Sequence, residues 1–178
     1  NHTYSLVGRH EILEQLDNFM HSDKKIALMP GHGGIGKSRV LFEFGTTFEL
    51  GHEEWELLFL NEHALLSNDS IQELPDSKCV IIVDDAHRNS NIGLLLAISQ
   101  QAIQPIKLIF SFRSHGLDYL KSSYTKCGFD TREVEQISEL QELKREDLEE
   151  LGKTILGKDC DIYLEPLIQV AKDSTLAF

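Results

Sequence analysis

Eight consecutive residues, Gly31-His32-Gly33-Gly34-Ile35-Gly36-Lys37-Ser38, fill every fixed position of the pattern G-x-x-x-x-G-K-[ST] and constrain this chain more than any other stretch. Glycines at Gly31, Gly33, Gly34 and Gly36 allow backbone angles that side-chained residues avoid, so successive N–H groups, that of Ile35 included, turn inward around phosphate oxygens. A helix starting near Gly36 adds the partial positive charge of its first turn. Lys37 brings a full charge to the outer phosphates, and the Ser38 hydroxyl is a ligand for Mg²⁺. The pattern means this only between a strand and a helix. Lys25–Pro30 reads as a short buried strand and Arg39–Phe44 as a helix, so the context is met.

A chain of 178 residues buries one core with room for a small appendage, and 41% hydrophobic with 26% charged residues is an ordinary globular balance. No apolar run approaches the ~18 residues of a membrane span, so no membrane partner is expected. The net charge of −12 argues against direct nucleic-acid binding, which needs clustered Lys and Arg. Much of the acidity lies between Glu133 and Glu150, where Glu146, Asp147, Glu149 and Glu150 are expected on a solvated helix face. Three cysteines, Cys79, Cys127 and Cys160, have no metal-like spacing and are expected as reduced thiols in a cytoplasmic setting. The start lacks methionine and signal-like character, and the end falls within an apolar segment; both suggest a piece of a longer polypeptide.

Along the chain, apolar spacing predicts a first helix over Glu11–Met20 and further strands at Trp55–Leu60, Cys79–Val83, Ile106–Phe112 and Val134–Ile137. Helices are predicted at Asn91–Gln101 and Leu117–Tyr124, and a short one between Ser67 and Pro75. The alternation implies an α/β fold, a parallel sheet with helices on both faces. Beyond Leu140 the strand pattern stops. Arg145–Leu156 and Ile162–Lys172 read as amphipathic helices, so residues 1–142 are expected to form the α/β core and 143–178 a helical subdomain.

The apolar strand Val80–Val83 runs directly into Asp84-Asp85. A carboxylate at the end of a strand beside the strand of the glycine loop is expected to hold Mg²⁺, directly or through water, opposite Ser38; that residue is Asp84. Asp85, one residue on, is expected to orient or deprotonate an attacking water, although an Asp pair also suits a plain strand-ending turn. Arg113 leaves the strand Ile106–Phe112 at the same sheet edge, where a guanidinium is expected to reach a terminal phosphate, although an arginine there also suits a plain surface loop. Arg39 lies within reach of a phosphate but more often salt-bridges. His32 is expected to point away from the phosphates, and His87 to serve a turn. No histidine pair has zinc-ligand spacing.

Together these segments resemble the STAND class of P-loop NTPases, relatives of the AAA+ proteins that act as signal-transduction switches. Leu6-Val7-Gly8-Arg9, followed by Glu11 and Leu13, is similar to the entry motif of that class. The resemblance implies that Val7, Gly8 and Arg9 belong to the base pocket. It also implies ATP and ADP as ligands with Mg²⁺, and residues 143–178 as a truncated lid. Ile81-Ile82-Val83-Asp84-Asp85-Ala86-His87 resembles the class's Walker B, and Phe110-Ser111-Phe112-Arg113 its sensor strand. Glu135–Leu140 and Asp147-Leu148 are similar to the segment leading into the lid. The loop and Walker B forms resemble those of prokaryotic, antiviral STAND proteins. One departure stands out: Thr175 occupies the place of the lid proline that contacts nucleotide in the class.

The expectation is therefore an ATP-binding, ATP-hydrolysing switch module of a multidomain protein, with Lys37, Asp85 and Arg113 serving the chemistry. Protein partners and self-oligomerisation belong to the full-length protein, and hydrolysis by this piece is expected to be slow or absent. The rival readings are a regulatory module that binds without hydrolysing, a DNA-associated AAA+ ATPase, and a small-molecule P-loop kinase. The acidic 133–150 segment speaks against the kinase.

Overall fold

The structure of the protein is a computed structural model, which describes residues 6–61, 66–67, 69–70, 74–156, 165–166 and 168–169. Its elements are α1 (His10–His21), β1 (Ile26–Pro30), α2 (Lys37–Gly51), β2 (Trp55–Phe59), β3 (Lys78–Val83), α3 (Ile92–Gln101), β4 (Ile106–Phe112), α4 (Leu117–Lys126), β5 (Val134–Gln136) and α5 (Arg145–Leu156). Every predicted strand is present, with bounds within two residues. Residues 68 and 71–73 of the predicted 67–75 helix and most of the 162–172 helix lie outside the described residues, as do Cys160 and Thr175.

The five strands are all parallel, in the order β2-β3-β4-β1-β5. One expectation is corrected by this order: β3 does not lie beside β1. β4 is inserted between them, with Leu28 opposite Phe110 on one side and Val83 opposite Phe110 on the other. All three strands are mainly apolar and buried on both faces, so each satisfies the requirement of a central strand, and composition does not rank them as neighbours. The expected α/β architecture is otherwise as read.

Alternation along each strand sorts the core into two layers. Leu28, Ile81, Val83, Leu108 and Phe110 pack under α3 and α4 with Leu96, Leu120 and Tyr124. Ala27, Met29, Val80, Ile82 and Ile109 pack under α1 and α2 with Leu16, Phe19, Leu41, Phe44 and Phe48. In α1 the buried residues Ile12, Leu16, Phe19 and Met20 recur at helical spacing, which turns one stripe to the sheet.

On the α1 side β4 carries a buried charge. Lys107 donates to the carbonyls of Phe19 and Ser22 at 2.7 and 2.6 Å, where the end of α1 leaves acceptors, and its ammonium lies 4.6 Å from the centre of the Phe19 ring. Burial pushes this lysine from the ordinary 10.5 down to about 8, with Asp23 opposing the shift. The folded chain thus releases the proton near pH 8, whereas the unfolded chain keeps it to about 10.5. Within that window the unfolded state binds more protons, so stability contributed by this group rises with pH. Urea unfolding of wild type and Lys107→Met across the window should show the wild type gaining relative to the variant as pH rises. Parallel curves would mean that Lys107 keeps its proton.

Candidate functional site

All five strands end at one edge of the sheet, and the glycine loop follows β1 there. Gly34 and Gly36 have φ of 77° and 98°, left-handed angles that side-chained residues adopt only with strain. Nothing lies within 4 Å of a Cβ built at Gly36, so conformation rather than space demands glycine at the entry to α2. Ile35 is 5% exposed and plugs the loop into the α1/α2 core. Lys37, in the first turn of α2, donates to the carbonyls of Gly31 and His32 at 2.9 and 2.8 Å and lies along the inside of the loop. Burial pushes its pKa down, while Asp85 and Asp84 pull it back up.

The second part of the site spans the inserted strand. Two strand spacings, about 10 Å, separate β3 from β1. The gap is closed by side chains: the Ser38 hydroxyl donates to one oxygen of Asp84 and the Ser111 hydroxyl to the other. Ser111 is fully buried in β4 and also accepts the Asp85 backbone N–H at 3.0 Å. Motif and spacing single out Ser38 and Asp84 but not Ser111. A signal is nonetheless present: in the buried run Leu108-Ile109-Phe110-Ser111-Phe112 the one hydroxyl must be satisfied by something nearby. Asp85 has φ 48°, a left-handed angle that Asp tolerates, and its carboxylate lies 3.8 Å from Arg88.

Arg113 follows β4 and returns over the loop. A Cβ built at Gly33 would meet its guanidinium carbon at 3.2 Å, so glycine there lets the arginine lie against the loop backbone. Its Nε is buried without a hydrogen-bond partner. Arg39, by contrast, pairs with Glu43 at 2.8 Å and leans over Phe42. His32 is exposed, with the Glu139 carboxylate 3.9 Å away.

The entry segment lies on the far side of the loop. Val7 is buried, and Gly8 has φ 66°. A Cβ on Gly8 would stand 2.7 Å from the Asp147 carboxyl and 2.9 Å from Leu143, so glycine permits α5 to close upon this turn. Arg9 is 8% exposed; it donates to the carbonyls of Gln141 at 2.6 Å and Ile35 at 3.0 Å. Its guanidinium therefore ties the entry segment, the loop and the chain after β5 together. Burial lowers its pKa, and Asp147 opposes the shift.

The arrangement suits an anion chain with a divalent ion. The loop N–H groups, Lys37 and Arg113 converge on one side. Ser38 and Asp84 supply hard oxygen donors beside them. The orphaned Arg113 Nε is a buried donor that such an anion would satisfy. Among the described residues no group of three or more His, Cys, Asp or Glu could hold a metal by itself, and no helix is long and apolar enough to cross a membrane.

The two carbonyls held by Arg9 lie in different segments, and each is bound by its own guanidinium nitrogen, a fork that a lysine lacks. Arg9→Lys should therefore lower the free energy of unfolding by about 1–3 kcal/mol. Urea denaturation of the two proteins measures this, and an unchanged midpoint would show that the fork contributes nothing.

No protein-family model matches the chain, and no curated protein is significantly similar to it in sequence. Solved structures are similar in fold. A point mutant of RuvB from Thermotoga maritima superposes with a TM-score of 0.63 at 19% identity, covering 96% of this chain and 59% of that one. A second point mutant of the same protein gives 0.63 and 19%, covering 97% and 60%. The S. cerevisiae Hsp104–ADP complex gives 0.69 at 17% identity, covering 94% of this chain and 34% of Hsp104. The fold is thus a P-loop NTPase α/β fold like that of RuvB and Hsp104, and the chain spans about three fifths of RuvB and one third of Hsp104.

Proposed function

We propose that this chain is the nucleotide-binding module of a multidomain STAND protein, a switch in which ATP or ADP with Mg²⁺ sets the conformation. The observation that carries the reading is the bond between Ser38 and Asp84 across the inserted β4, beside the convergent Lys37 and Arg113. A plain Gly-rich turn gives no reason for a helix-start serine to meet a carboxylate from two strands away.

In this reading the backbone of 31–36 and Lys37 bind the phosphates, Ser38 and Asp84 hold the ion, and Val7 and Gly8 border the base. Mg²⁺, when bound, would offset phosphate charge and orient the phosphates. Arg113 caps the outer end of the loop, where it stabilises charge developing on a transferred phosphoryl group. Asp85 orients or deprotonates the attacking water. Residues 1–142 act as the core and 143–178 as the start of a lid. Nucleotide state would alter lid packing and expose surfaces for self-association of the full-length protein in the cytoplasm. The antiviral assignment rests on motif resemblance alone. Adenine specificity rests on the same resemblance, with support from the fold shared with an ADP-bound protein.

Calorimetric titration of the chain with ATP, ADP and GTP, with and without Mg²⁺, tests the site. Adenine-nucleotide binding should weaken on the order of a hundredfold in Lys37→Ala, since charge-assisted contacts to the phosphates disappear. In Asp84→Asn the enhancement of binding by Mg²⁺ should vanish. Identical titrations for wild type and Lys37→Ala would reject the site.

A second reading, binding without hydrolysis, is favoured by one observation: the Asp85 carboxylate is short and drawn towards Arg88. Asp85→Asn preserves the tolerated left-handed backbone while removing the base. If the chain hydrolyses ATP, this variant should lose turnover by about 10²–10⁴-fold with nucleotide affinity intact. Equal turnover in the two proteins would remove Asp85 from the chemistry.

A further inference from the structure

Two loops leave the carboxyl edge of the sheet side by side, residues 84–91 after β3 and 113–116 after β4. Asp85 stands at the start of one and Arg113 at the start of the other. They are joined at the root by Ser111, which contacts the Asp84 carboxylate and the Asp85 N–H.

A second junction lies farther out. The left-handed turn at Asp85 redirects the chain so that His87 rests on Gly116. A methyl group on Gly116 would stand 2.3 Å from the His87 Cβ and 2.9 Å from its Cγ, far inside contact distance. The rings of His87 and His115 meet edge to face, with centroids 4.9 Å apart and planes at 84°. The His87 Nδ1 is buried without a hydrogen-bond partner, so packing rather than a polar contact at that atom fixes the ring. Gly116 in turn donates its N–H to the Arg113 carbonyl at 2.7 Å, closing one tight turn between the His87 contact and the arginine. Tyr119 adds an outer brace by donating to the Asn89 carbonyl at 3.2 Å.

We infer that His87 is a positioning residue for Arg113: pressed on Gly116 and His115, it fixes the turn that holds the guanidinium over Gly33 and so sets the preference for a nucleoside triphosphate over a diphosphate. This rests on the reading of the loop as a nucleotide site. Without the ring, the 113–116 turn gains room to move away from the loop. Only the contact to the outermost phosphate is then lost, because Lys37 and the loop backbone have independent anchors in Ile35 and α2.

The test is a double-mutant cycle read by calorimetry with Mg²⁺, using ADP and a non-hydrolysable ATP analogue with an imido bridge. His87→Ala should lower the triphosphate-over-diphosphate preference about tenfold and move ADP affinity less than about twofold. His87→Phe, which keeps a ring on Gly116, should retain most of the preference. Gly116→Ala forces the loops apart with His87 in place; it should give the same selective loss, and it serves if His87→Ala fails to fold. In an Arg113→Ala background, His87→Ala should change the preference less than about twofold. Equal losses for both nucleotides, an undiminished effect without Arg113, or a wild type that does not distinguish them would overturn the inference. Absence of wild-type binding, or binding untouched by Lys37→Ala, would overturn the nucleotide-site reading and the inference with it.

Discussion

The Asp84 carboxylate is the contact on which the rest of the site depends. It accepts one hydroxyl from the start of α2 and another from β4. Three elements that meet through main-chain pairing or apolar packing elsewhere are thereby joined at the edge where the chemistry is expected. A charged acceptor strengthens both bonds, and Ser111 has no exposure through which water could replace its partner. The same serine fixes the Asp85 N–H, so the orientation of the Asp84 carboxylate and the start of the next turn are set by one buried oxygen.

Around the glycine loop, three cations have three different environments. Arg9 commits its fork to two carbonyls and is a structural tie. Lys37 also contacts carbonyls, but those belong to the loop it lines, so it is placed inside the space the loop encloses. Arg113 keeps a buried N–H without a partner. That difference separates the arginine proposed to face phosphate from the structural one more firmly than position in the sequence does. A net charge of −12 does not oppose anion binding here, because the local field comes from oriented N–H groups and two nearby cations at short range.

Much of this is legible in the residues. Glycine spacing specifies the loop, a continuous β-branched run specifies β3 and a mainly apolar run β4, because these signals arise from local sterics and burial. Strand order is not legible. Neighbour choice depends on which apolar faces meet, and β1, β3 and β4 offer equivalent ones. Ser111 is hidden for a related reason: it matters only once β4 is known to lie between the loop and Asp84. Resemblance puts Arg9 at the base pocket, yet its hydrogen-bond partners are backbone carbonyls, which carry no side-chain signature. Arg113 and Asp84 can be found from sequence because strand ends in a parallel sheet share an edge whatever the order.

The junction between core and α5 bears on the proposed switch. Leu143 and Leu148 pack with Ile168 in an apolar cluster separate from the two layers of the sheet. The helix meets the entry segment at Gly8, where Asp147 and Leu143 occupy the space a side chain would need. Asp147 also accepts the Lys144 N–H at 3.1 Å and contributes a favourable charge to Arg9. One acid therefore caps α5, closes on the entry turn and supports the arginine that ties that turn to the loop. Moving α5 would break this small set of contacts while leaving both layers of the core intact. A displacement there would cost far less than any rearrangement of the sheet, and it would be felt directly at Val7 and Gly8, where the base is proposed to lie.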